Sequence, residues 1–171
     1  MSLAPKPARE SAAEMVQVVL PNDANPLGFM LGGSVMHLID IAAAIASYRH
    51  TRSRVVTVAV DDLQFLHSIK VGDLIILKAR VTATFKTSLE VQVDVYSEEA
   101  LTGRRRRTSN AFLTFVAVDG TGEPVEVPPL TLETDEERRV SHEAHARREQ
   151  RLRKKAGLAA MESDSSDGRP F

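Results

Sequence analysis

One apolar segment limits what this chain can fold into more than any other feature. From Ser34 to Tyr48 the sequence reads SVMHLIDIAAAIASY. Alanine and leucine favour helix, and the segment is longer than a usual strand. A helix here is apolar on nearly every side, so it must be surrounded rather than laid on a surface. It is too short to cross a bilayer, and His37 and Asp40 interrupt it. The rest of the chain therefore has to supply its cover.

The flanking sequence offers strands for that purpose. EMVQVVL, residues 14–20, is valine-rich and closed by Pro21. PNDANPLGFMLGG, residues 21–33, has the Pro, Gly and Asn content of a loop. Four further strands follow: RVVTVAVDDLQFL (54–66), DLIILKARVTATF (73–85), SLEVQVDVYS (88–97) and SNAFLTFVAVD (109–119). In the third of these, Leu89, Val91, Val93 and Val95 share one face. Turns at Gly72-Asp73 and Thr102-Gly103 join neighbours. A sheet of this length curled around one helix is an α+β solution in two layers. One curled sheet cannot cover every side of so apolar a helix, so self-association is expected.

The chain is expected to divide into a polar, disordered leader (1–12), a globular domain (13–130), a charged helix (131–157) and a disordered tail (158–171). Thr134 opens the charged helix as a capping box with Glu137. Acidic residues at its start (Asp135, Glu136, Glu137) and basic ones at its end (Arg151, Arg153, Lys154, Lys155) suit the helix dipole. Gly157 is expected to stop it. Its apolar positions are few, so it should be mostly solvated.

Composition excludes several classes. A net charge of -1 gives no global field toward nucleic acid or an anionic membrane. The absence of cysteine excludes a disulfide framework, a thiol nucleophile and a cysteine-based zinc site, and it fits a cytoplasmic protein. The five histidines show no metal-ligand spacing. The first residues lack the apolar stretch of a secretory signal.

Asp40 is the first candidate for chemistry. A charge inside an apolar helix needs partners. It is a structural carboxylate in the core or at an oligomer seam, or it is a general base. It lies seven residues after Gly33. Two helical turns take about 7.2 residues, so both sit on a similar face about 10 Å apart. The helix start supplies free backbone N–H groups and the positive end of the dipole. Gly32 and Gly33 would let a ligand approach that backbone, or they serve only loop geometry. Asn25, in DANPLG, forms a turn or orients a water or a carbonyl with its amide. His37 lies three residues before Asp40 and reads as a packed or interface histidine rather than half of a dyad. No G-x-S-x-G or zinc-protease motif is present. TGRRRRTSN sets Arg104, Arg105, Arg106 and Arg107 directly after a turn. They form a phosphate-binding arm or a solvated, aggregation-resistant edge, and alternation lets only two face one side.

Taken together, PNDANPLGFMLGG, MHLIDIAAAIA, VDDLQFLHSIKVGD, TSLEVQVDVYSEEALTG and EVPPL resemble the hotdog-fold acyl-CoA thioesterases, in the cytosolic acyl-CoA hydrolase branch. The resemblance runs from about Met15 to Leu130. It implies a hotdog fold, in which a five-stranded antiparallel sheet wraps a central helix, with a C-terminal helix added here. It implies dimers with sites at the interface, commonly three dimers in a hexamer. It also implies fatty acyl-CoA hydrolysis with no cofactor beyond the coenzyme A of the substrate. Asn25 and Asp40 would be the catalytic pair, meeting from opposite subunits. Asp40 would act as general base, with direct attack an alternative, and the backbone at Gly32 and Gly33 would take the oxyanion. Thr87, Ser88 and some of Arg104 to Arg107 would contact coenzyme A. Two positions depart from the family pattern: Leu31 stands where His or Phe is usual, and Ser68 where Pro is frequent.

A non-catalytic acyl-CoA-binding module of the same fold is the competing expectation, since fold alone does not secure activity. RNA binding through the arginine run lacks interleaved aromatics, because Phe, Tyr and Trp total only 5%. Neither nucleic acid nor membrane is an expected partner.

Overall fold

Alternating valine-rich segments become one curled sheet, and the apolar segment becomes the helix inside it. The computed structural model describes residues 3–165, with side chains of the last helix described to Met161. The elements are β1 (Lys6–Pro7), β2 (Ala13–Val18), α1 (Gly32–Thr51), β3 (Arg54–Phe65), β4 (Leu74–Thr84), β5 (Ser88–Glu98), β6 (Arg105–Val118), β7 (Leu130–Thr131) and α2 (Asp135–Ser165). Five strands form an antiparallel sheet in the order β2-β4-β5-β6-β3. The period of two decides its faces. Leu89, Val91, Val93 and Val95 of β5 join Ala111, Leu113, Phe115 and Ala117 of β6 in the core. Val35, Leu38, Ile39, Ala42, Ala43 and Ala46 of α1 fill it from the other side. Each fully buried large apolar side chain contributes about 1.5–3 kcal/mol.

The sheet covers only part of α1. Met36, His37 and Tyr48 remain exposed, and Asp40, Ile41, Ala44 and Ile45 are half-buried. The helix is therefore a core element on one face and an open apolar stripe on the other. β3 is the sheet edge beside that stripe. It is irregular there, with register shifts between Thr57 and Ala59 and between Asp61 and Gln64. Asp62 lies in the left-handed region, at φ 50.

Several boundaries differ from the sequence reading. The leader is ordered from β1 onward: Lys6 and Pro7 pair in parallel with Leu130 and Thr131 of β7. Ala8 and Ser11 are buried against the end of α1, where Lys6 Nζ donates to the His50 carbonyl at 2.9 Å. Polarity alone suggested a loose leader, but these small residues close the sheet around buried His50. At its other end α1 starts at Gly32, not Ser34. The last core strand starts at Arg105, not Ser109, because the arginines pair in the ladder with β5.

The C-terminal helix does open on the Thr134–Glu137 capping box, with Glu137 N–H donating to Thr134 Oγ1 and Thr134 N–H to Glu137 Oε2, both at 3.1 Å. It runs through Gly157 to Ser165. One glycine costs a helix about 1 kcal/mol and does not end it when helix formers follow. Residues 158–165 of the expected disordered tail are thus helical, and residues 166–171 lie outside the described residues. Helix α2 is mostly exposed, as expected, but a few positions dock. Val140 and Ala144 are buried against the sheet's outer face. Arg147 pairs there with Glu90 at 2.8 Å and lies 3.7 Å above the Phe112 ring.

Candidate active site

The open stripe of α1 carries the first candidate. Gly33, Met36, His37 and Asp40 lie along it, so Gly33 and Asp40 do share a face. Asp40 is half-buried rather than sealed in the core. Its Oδ1 accepts a 2.8 Å hydrogen bond from Thr57 Oγ1 on β3. Thr57 stands opposite Phe115, a core residue, so its hydroxyl points inward toward the helix. This bond fixes one carboxylate oxygen. Sequence reasoning missed Thr57, although a lone hydroxyl in the core-facing phase of a valine strand was the available signal.

The start of α1 forms the second part. Leu31 is the N-cap and makes no side-chain cap. The first backbone N–H groups of a helix have no partner within it. Gly32 lines a cavity of about 600 Å³ together with Asn25, Phe29, Phe65 and Ser68. Phe65 lies across this entrance: a Cβ built on Gly32 would sit 3.5 Å from its ring. One on Gly33 would meet nothing within 4 Å. Sequence reasoning passed over Phe65, because its position depends on the irregular end of β3.

Asn25 does form a turn. Its Oδ1 accepts from the N–H groups of Leu27 at 3.0 Å and Phe29 at 3.2 Å. That leaves its Nδ2 without a hydrogen-bond acceptor among the described residues. Asp40 does not line the cavity that Asn25 lines. A single chain therefore does not bring the two together in one cavity.

The arginine arm borders a separate groove of about 370 Å³, lined by Lys70, Arg104, Arg105 and Arg106 together with Asp73 and Glu99. Ser68 lines both cavities, so the chamber borders the cationic groove. Arg104 hydrogen-bonds Glu99 and, with Thr102, holds that carboxyl below its usual range. Arg105 pairs with Glu98, and Arg107 turns to Asp94. Arg106 has no carboxylate partner among the described residues. Thr87 and Ser88 sit at the opposite end of β5 from this arm, roughly 33 Å away along the strand. One chain does not present both groups to the same end of a ligand. No group of His, Cys, Asp and Glu that could hold a metal ion occurs among the described residues.

The comparisons agree with this architecture. The model of the thioesterase superfamily matches residues 27–103. A Bacillus subtilis protein named as an uncharacterized acyl-CoA thioester hydrolase is 35% identical over 163 residues, covering 95% of each chain. The cytosolic acyl coenzyme A thioester hydrolase of rat is 32% identical over 90% of this chain, which spans 41% of the rat protein's length. Among solved structures, an apo-hexameric acyl-CoA thioesterase superposes with a TM-score of 0.86 at 42% identity, covering 90% of this chain and 99% of that one. The Staphylococcus aureus acyl-CoA hydrolase, solved with butyryl coenzyme A and coenzyme A, gives a TM-score of 0.86 at 31% identity, covering 94% and 98%. That enzyme has also been solved with an aspartate, an asparagine or a threonine replaced by alanine. A hotdog sheet around a central helix, with an open chamber at the helix start, defines the class. This chain belongs to the thioesterase superfamily, among the acyl-CoA thioester hydrolases.

Proposed function

We propose that this protein hydrolyses fatty acyl-CoA to a free acid and coenzyme A, at a site built by two copies of the chain. The carrying observation is the Asp40–Thr57 pair on an uncovered helix face, two turns from a helix start that opens into a chamber. The three residues replaced in the Staphylococcus aureus variants are spaced 15 and 17 residues apart, as asparagine, aspartate and threonine. Asn25, Asp40 and Thr57 have the same order and spacing. This supports equivalent roles here.

Water attacks the thioester carbonyl while Asp40 takes its proton, and Thr57 holds the carboxylate in position. Oxygen–carbon bond formation is followed by carbon–sulfur cleavage, and the proton leaves with the thiol of coenzyme A. The N–H groups at Gly32 and Gly33 stabilise the oxyanion, aided by the positive helix end. The Asn25 amide, which shares its chamber with Gly32 of the same copy, orients the water or the carbonyl, and Asp40 comes from the other copy. Lys70 and Arg104 to Arg106 take the phosphates of coenzyme A.

Two unpartnered features support the shared site. The apolar α1 stripe and the β3 edge lie side by side, and a second copy covers both when two β3 edges pair. Three such dimers would make a hexamer, the assembly named for two of the solved relatives.

Release of thiol from acyl-CoA of increasing chain length tests the proposal. Saturable hydrolysis is expected, and Asp40→Asn should lower turnover by two or more powers of ten with coenzyme A still bound. Binding without turnover in the native protein would instead identify a non-catalytic acyl-CoA-binding module.

A further inference from the structure

Helix α2 is longer than the sheet that supports it. It starts over β4, where Glu136 meets Arg80 at 2.9 Å. Arg147 then reaches Glu90 of β5 and covers Phe112 of β6. Arg151 meets Asp61 of β3, the edge strand, at 2.7 Å. The helix continues to Ser165. At about 1.5 Å per residue, it projects roughly 21 Å past that last contact.

The projecting part keeps the pattern of the docked part. Val140, Ala144, Arg147 and Arg151 recur at intervals of 4, 3 and 4, which places them on one helix face. The same row runs on through Lys154, Leu158 and Met161 at intervals of 3, 4 and 3. Leu158 and Met161 are 62% and 71% exposed. An apolar row has no purpose where its own sheet has ended.

The sheet edge offers a counterpart. Val56 of β3 is 51% exposed. Val56 stands opposite Val116, whose neighbours Phe115 and Ala117 face the core. Val56 therefore faces the outer side, the side that carries α2. Its own α2 crosses β3 elsewhere, at Asp61.

We propose that the projecting part of α2 clasps a second copy of this chain, laying Leu158 and Met161 on Val56 of that copy's β3. The proposal rests on the β3-to-β3 dimer above. A two-fold axis normal to the sheet makes that seam antiparallel and keeps both α2 helices on the same outer face. Each helix then overhangs the other copy's edge strand, and the symmetry makes the two clasps reciprocal.

The chain has no cysteine, so engineered ones report cleanly. Differently tagged chains carrying Val56→Cys or Leu158→Cys are co-expressed and treated with a short bismaleimide. A product containing both tags is expected. The double variant should stop at cross-linked pairs of chains, because reciprocal links close at two. Cross-linking within one chain, a ladder beyond two chains, or no link in a protein that light scattering shows to be oligomeric would overturn the clasp. Separately, joint Leu158→Asp and Met161→Asp should raise the dimer dissociation constant about ten-fold or more, with helix content unchanged. An unchanged constant would overturn the clasp while leaving the β3 seam intact. A monomer at every concentration would overturn seam and clasp together.

Discussion

Gly33 carries two opposed demands. A glycine in a helix forfeits about 0.5–1 kcal/mol relative to alanine. A Cβ there would meet nothing within 4 Å, so the fold does not need the gap. In the proposed site the gap takes the substrate carbonyl. Gly33→Ala should therefore raise the thermal midpoint while lowering kcat/KM, the stability–activity trade-off seen at functional positions. Equal activity in the more stable variant would show that Gly33 serves only the loop. His50 is the other telling residue. It is fully buried, with Nε2 donating to the Pro128 carbonyl at 2.9 Å and Nδ1 3.4 Å from Ser11 Oγ. Burial pushes its pKa below the ordinary value of 6.5, outweighing the hydrogen bond to Pro128. The unfolded chain then binds the extra proton more readily than the folded one. The stabilisation is complete above about pH 6.5 and is lost as pH falls below it. Urea midpoints at pH 7.5 and 5.5 should differ in the native chain, and His50→Gln should flatten that difference. An identical slope in the variant would place the pH dependence elsewhere.

At the scale of elements, α2 is held by one deeply buried ion pair. Arg147 and Glu90 have side chains only 13% and 2% exposed, and Thr82 also donates to Glu90 at 2.7 Å. Glu90→Ala leaves a buried guanidinium without its partner and should cost about 3–5 kcal/mol in urea unfolding. Glu90→Leu together with Arg147→Met should recover most of that, because an apolar pair fills the same space without desolvating charges. A double variant as unstable as Glu90→Ala would mean that α2 is anchored by something other than this pair. The elements themselves were largely legible from the chain. Period-two alternation in β4, β5 and β6, and an apolar run too long for a strand, were enough to place a sheet around a helix. What polarity hid was the role of small residues. Ala8, Ser11 and Ala144 are buried without being strongly apolar, so the ordered leader and the docked face of α2 went unread. The site was legible in its parts: Asn25, Asp40 and the glycine pair stand out as residue types in odd places. Thr57 showed only as a lone hydroxyl in a valine strand, and Phe65 not at all, because its role depends on the irregular end of β3, which spacing along the chain does not encode.

For the whole molecule, the proposed site has its pieces in one chain and is assembled by two. Asn25 lines the chamber at the helix start, while Asp40 lies on the uncovered stripe with Thr57. Co-expression of an Asp40→Asn chain with an Asn25→Ala chain tests this most directly. Each homomer should be impaired, for loss of the base or loss of the positioning amide. In a mixed dimer, one of the two sites regains native Asp40 from one copy and native Asn25 from the other. Random pairing at equal expression should restore native sites to about a quarter of the wild-type number. Thiol release from acyl-CoA should rise accordingly above the sum of the two homomers. Activity no greater than that sum, in a preparation where tagged chains confirm mixed dimers, would contradict the shared site and confine both residues to one chain.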